Sequence, residues 1–195
     1  MLGAARNLLP IAFACLITAA GVPAANAQSR QNPPQAGASE RAELHDRLFA
    51  ALKRARNELE AQRVENEIWL FWSQGPDEEA TRQISEIFAA RHAFDLEKAL
   101  RIATGLTERL PDYAEGWNQK ATVLFMQGKF DESLEAVERT LELEPKHFGS
   151  LAGKAVILIH QGRMALAQAT LRQAVKIHPF LRERHLIIEP KGLPI

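Results

Sequence analysis

The chain has 195 residues, 24 of them basic and 24 acidic, for a formal net charge of zero, with 46% hydrophobic residues. That balance supplies no electrostatic footprint for nucleic acid and no strongly basic face for anionic lipid. Its single cysteine, Cys15, falls within the first 27 residues, so the rest of the chain holds no disulfide, thiolate nucleophile or thiolate metal site.

Residues 1–27 have the pattern of a cleavable secretory signal. Arg6 gives the basic start, Leu8 to Val22 is almost wholly apolar, and Ala25-Asn26-Ala27 fits a small-x-small cleavage site. The expectation is export to the periplasm with a mature start at Gln28 and a net charge of −1, since only Arg6 is removed. Pro10 interrupts the apolar run, which is shorter than the ~20 residues a spanning helix needs. No membrane span is expected after cleavage; an uncleaved anchor is the alternative. Phe13 beside Cys15 argues against lipoprotein processing.

Residues 28–39 (QSRQNPPQAGAS) carry no aliphatic side chain larger than Ala and read as a flexible leader. An N-terminal helix pair over 40–76 follows. Ser39 can cap the first helix, Glu40 to about Arg56, whose stripe is Leu44, Leu48, Ala51, Leu52 and Ala55. Asn57 and Glu60 look like a capping box that opens the second after a break near Arg56, one continuous helix being the alternative; it ends in Ile68-Trp69-Leu70-Phe71-Trp72 before Gly75-Pro76. Five consecutive large apolar residues cannot share one helical face. They either pack onto the first repeat or leave part of the cluster exposed for a partner.

From Tyr113 to Pro179 one pattern is written twice at a spacing of 34 residues. Trp117 pairs with Leu151, Ala121 with Ala155, Leu124 with Leu158, Gly128 with Gly162, Phe130 with Met164 and Pro145 with Pro179. Small residues let two helices approach, Gly ends the first helix and Pro stops the second. This stretch resembles the tetratricopeptide repeat (TPR), a helix–turn–helix unit that stacks into a solenoid. The resemblance implies an all-α fold, a right-handed superhelix (α-solenoid) of antiparallel TPR-like helix pairs. It places repeats at 112–145 and 146–179 and a C-terminal cap at 180–195. A degenerate repeat fits 77–111, with Asp77 opening its first helix and Phe94 standing where the others have Gly. Some exported TPR proteins trimerise through an N-terminal coiled coil, but here the Leu44, Leu48, Ala51, Ala55 register runs into Glu58 and Gln62 and no such trimer is expected.

TPR proteins bind mostly through the concave face formed by the first helix of each pair. The resemblance therefore places Glu115, Asn118, Gln119, Thr122 and Met126 in a partner-binding groove, followed by Ala152, Gly153, Val156, Ile159 and His160. The Lys and Asn clamp that some members use to grip an acidic C-terminus is missing, since Ala152 and Val156 stand in the second repeat. An extended or helical peptide suits such a face; alternatively the C-terminal segment covers Val156 and Ile159.

Catalytic patterns are not found. Gly149 to Ala155 is one residue short of a phosphate loop and lacks the Ser or Thr after Lys154. His45, His92, His147, His160, His178 and His185 never stand at i, i+4 and read as surface residues, so neither metal nor cofactor is implied. The expected function is a non-catalytic adaptor that binds a protein or peptide, not nucleic acid, and supports envelope assembly or integrity. A carrier of peptidoglycan or lipid fragments is the runner-up; a hydrolase ranks third, because the helix pairs leave no room for a catalytic domain.

Overall fold

A computed structural model describes residues 37–188, which lie in one compact unit. The expected signal at 1–27, nearly all of the leader and the last seven residues fall outside them. The described residues form eight α-helices, one 3-10 helix and no strand. The helices are α1 (Ala38–Arg54), α2 (Glu58–Ser73), α3 (Glu78–His92), α4 (Leu96–Arg109), α5 (Ala114–Met126), α6 (Phe130–Leu143), α7 (Phe148–His160) and α8 (Met164–Ile177), followed by the 3-10 turn Arg182–Leu186.

Local chemistry sets most of these boundaries. The side chains of Asn57, Asp77 and Asp95 each accept the orphan N–H three residues on. Glu60 reaches back to the N–H of Arg56 rather than to that of Asn57. Ser39 lies inside the first turn of α1, whose cap is Gly37, so the hydroxyl does not cap it.

Helices α3–α4, α5–α6 and α7–α8 form three hairpins that stack in order. Each closes on the same turn: the N–H of Asp95, Lys129 or Arg163 donates to the carbonyl of Ala90, Leu124 or Leu158 at 2.9, 3.0 and 2.8 Å. That turn needs one left-handed residue, and Gly128 and Gly162 supply it at φ 74° and 72°. In the first hairpin Phe94 adopts φ 55°, a conformation that costs a residue with a Cβ roughly 1–2 kcal/mol. Where the paired helices cross, Ala99, Ser133 and Ala167 are fully buried, and the Ser133 hydroxyl donates to the Ala121 carbonyl at 2.8 Å.

The N-terminal pair departs from the simple stack. Helix α2 packs on α1 and reaches α5 rather than α3, and α1 touches α8. Leu48, Phe49, Leu52, Ile68, Phe71 and Trp72 join Phe148, Leu151, Ala152, Ala174 and Leu181 in one core. The aromatic cluster therefore packs on the last repeat, not the first. At the C-terminal end Gln168 on α8 donates to the Leu186 carbonyl and accepts from the Ile188 N–H, so the 3-10 turn lies along α8.

Candidate functional site

Two regions hold the residues named for the concave face. The first is a buried polar cluster where α5 and α7 begin. Glu115 is 1% exposed, and its carboxylate accepts from Gln119 Nε2 at 2.5 Å, from Asn118 Nδ2 at 3.2 Å and from His147 Nε2 at 3.1 Å. His147 caps α7, taking the Ser150 N–H on Nδ1 at 3.0 Å, so the ring proton sits on Nε2, where Glu115 receives it. Ser150 Oγ donates to Asn118 Oδ1 at 2.8 Å, Thr122 Oγ1 to the Asn118 carbonyl at 2.8 Å, and Arg91 Nη1 to Gln119 Oε1 at 2.7 Å. A buried carboxylate is tolerated when its lone pairs are met by donors in this way. With no open face left, it ties α3, α5 and α7 together and cannot meet a substrate.

The covering element is the chain's own α2. The Trp72 indole stacks on the His147 ring at 3.9 Å and 7° between planes, and Trp69 meets His147 and Phe148 edge-on at 5.5 Å. The Tyr113 hydroxyl donates to the Trp72 carbonyl at 2.6 Å, and burial holds that phenol above its usual range. Gly149 makes room: a Cβ there would lie 2.5 Å from the Trp69 ring.

Polar pairs fasten the hairpin at its flanks. His45 on α1 meets Glu144 at 2.9 Å, Lys146 meets Asp46 at 3.3 Å, Glu65 on α2 meets His178 at 3.2 Å, and Arg184 pairs with Glu58. Glu144 and His178 stand 34 residues apart, at equivalent C-terminal ends of α6 and α8. The bond from Glu144 raises the His45 pKa above its ordinary value despite burial. Burial pushes Glu65 up, but the bonds from His178 and from Trp69 Nε1 outweigh it and hold the carboxyl low. His147 and His178, 0% and 1% exposed, are thus core residues, contrary to the surface role read from sequence.

Of the groove residues, Glu115, Asn118, Gln119, Thr122, Ala152, Gly153 and Val156 are buried, whereas Met126 and Ile159 are half-buried and His160 is exposed. The accessible three stand at the C-terminal ends of α5 and α7. There His160 stacks on Phe130 at 5.1 Å, beside Phe125. The sequence reading missed His147 and Ser150 in this network, whereas it named Trp69 and Trp72 as a cluster that packs on a repeat or meets a partner, and here they pack. The signal available for His147 was its place at the 34-residue offset from Tyr113, since that position is inward in both repeats.

A tetratricopeptide repeat family model matches residues 118–181. A TPR repeat-containing protein of Rhizobium etli is 32% identical over 176 residues, which cover 88% of this chain and 84% of the relative. The chain belongs to the tetratricopeptide repeat family. Its all-helical TPR architecture points to a protein-interaction scaffold, in a family that is generally non-catalytic. Among the described residues no helix is long and apolar enough to cross a membrane, and no group of three or more His, Cys, Asp or Glu is placed to hold a metal ion.

Proposed function

We propose that this TPR protein is a non-catalytic adaptor of the bacterial periplasm that holds a protein or peptide partner and so supports envelope assembly or integrity. The observation that carries this reading is the pairing of stacked TPR hairpins with an accessible strip at Met126, Ile159 and His160. Export rests on the signal pattern of residues 1–27. The filled half of the concave face acts as scaffold and the accessible half as contact surface. A carrier of glycan or lipid fragments needs an enclosed apolar cavity. The cleft between α1 and α2, about 310 Å³, is lined by exposed Arg54, Arg63 and Glu67 beside Ala51, Ala55 and Val64, and suits that role poorly.

The test is crosslinking and pull-down from fractionated cells, comparing wild type with Met126→Glu/His160→Glu at equal helical content. The expected result is recovery of the adaptor from the periplasmic fraction together with a protein lost in the variant. Recovery from the cytosol, or partners indifferent to the variant, contradicts the reading.

A further inference from the structure

Helix α2 carries more large apolar residues than the fold buries. In the run Ile68-Trp69-Leu70-Phe71-Trp72, Ile68, Phe71 and Trp72 are buried and Trp69 packs on His147 and Phe148. Leu70 is left over at 63% exposed, and Leu59, eleven residues before it, is 60% exposed. A lone exposed leucine needs no explanation, but these two share a face, three turns and ~16 Å apart at the helical rise. Exposed Arg63 and Asn66 stand between them, so the face reads Leu59, Arg63, Asn66, Leu70 at steps of four, three and four. That is the spacing of a seam on which a second helix packs. Among the described residues Arg63, Asn66 and the adjacent Glu67 make no side-chain hydrogen bond or ion pair, although Arg63 and Glu67 stand four apart on one helix.

The order of residues along this seam selects its occupant. Arg63 and Glu67 give it charges of both signs, so it favours neither an acidic nor a basic partner. Its polar middle also suits no lipid surface, which takes a continuous apolar stripe. The seam is instead its own complement. Turned end for end about the point midway between Arg63 and Asn66, it sets Leu59 against Leu70 at both ends and Arg63 beside Asn66 and Glu67 at the centre. A copy laid parallel would oppose Arg63 to Arg63, and like charges face to face disfavour that pairing.

We propose that α2 pairs antiparallel with α2 of a second copy of this chain, about a two-fold axis that crosses the helix between Arg63 and Asn66. At each end Leu59 packs on Leu70 of the other copy. At the centre Arg63 donates to the Glu67 carboxylate and the Asn66 amide oxygen of the other copy. Every contact is made twice, and the symmetry closes the seam so that no third copy is added. One helix pair lies at the small end of interface sizes, so the dimer is a weak one. The pairing uses none of Met126, Ile159 and His160 and does not rest on the adaptor reading; where that reading holds, each dimer offers a partner two such strips.

The test is sedimentation equilibrium of the full chain from about 1 μM to 1 mM, the range of weak interfaces. A monomer–dimer equilibrium is expected. Leu59→Glu/Leu70→Glu is expected to weaken it by about tenfold or more, since each dimer loses all its apolar contacts. The melting temperature of the monomer should not fall, because both side chains are exposed in it. Arg63→Glu and Glu67→Arg should each weaken pairing, every change counting twice in a symmetric dimer, and the exchange Arg63→Glu/Glu67→Arg should restore it. Orientation is read in a Cys15→Ser background, where Leu59→Cys mixed with Leu70→Cys is expected to give a disulfide-linked pair and neither variant to link to itself. A monomer at every concentration, association indifferent to the leucine variant, failure of the charge exchange to restore pairing, or linkage of Leu59→Cys to itself overturns the proposal. A pulled-down partner lost in Leu59→Glu/Leu70→Glu from a chain that stays monomeric assigns the face to another protein and overturns it too. The adaptor reading is decided separately, by Met126→Glu/His160→Glu.

Discussion

Gly149 and Trp69 show how a single missing methyl group decides where an element goes. A Gly in a helix interior costs about 1 kcal/mol relative to Ala, and although Gly149 stands in the first turn of α7, where that gain is smaller, on propensity alone Gly149→Ala would still favour the helix. The new Cβ would instead meet the indole edge at 2.5 Å, and that indole is hemmed in by Trp72, His147 and Phe148. Overpacking of this kind costs ~1–3 kcal/mol, so the variant is expected to be destabilised by about 1 kcal/mol net, read as a lower midpoint in urea denaturation. An unchanged or higher midpoint would show that the indole yields freely. At this scale the repeat register was legible, because Gly128 and Gly162 announce a left-handed turn and Phe94 visibly replaces one. The reason for Gly149 was not, since the ring that demands it lies on another helix, and its only local pattern was an imperfect phosphate loop.

At the scale of the element, the α1–α2 hairpin was legible in its ends and illegible in its placement. Asn57 and Asp77 are local caps whose bonds close within three residues, so their meaning is written next to them. An apolar stripe says only that a face is buried. Every helix of a solenoid has one, so nothing in α2 distinguishes packing on α3 from crossing to α5 and α7. The groove inherited this uncertainty: reading Asn118 and Val156 as surface required a face without an occupant. The fastening pairs make hairpin docking sensitive to pH. The folded pKa of His45 lies above its ordinary value of about 6.5, so its contribution is complete below that value and is lost as pH rises through the folded pKa. Burial pushes Glu144 up, but the His45 bond and charge together with the Lys146 N–H outweigh it, so the carboxyl stays charged below its ordinary range and its contribution is lost only in acid. The His45–Glu144 tie is therefore strongest between about pH 5 and 6.5. Exchange of α1 amides, corrected for intrinsic rate, is expected to be slower at pH 5.5 than at pH 8, and His45→Gln should abolish the difference. A difference that survives in the variant would assign it to another group.

For the whole molecule, the 34-residue period was sufficient to read an all-α TPR solenoid, because each unit repeats the same contacts with its neighbours. The period says nothing of what a non-repeated segment does, and here that segment fills the part of the concave face that the family's general plan leaves for a ligand. Residues that looked like a binding surface became a buried network beneath Trp72, with Glu115 and His147 at its centre. What remains open is the turn edge, where Met126 and His160 stand. The most direct measurement is hydrogen exchange with mass spectrometry on the full chain, comparing α2 with α5 and α7. If the hairpin is an integral layer of the fold, the amides of Ala61 to Trp72 are expected to exchange only with the same cooperative opening that releases α5 and the start of α7. Exchange of α2 at rates near those of an isolated helix, with α5 and α7 still protected, would contradict the account and return the concave face to an external ligand.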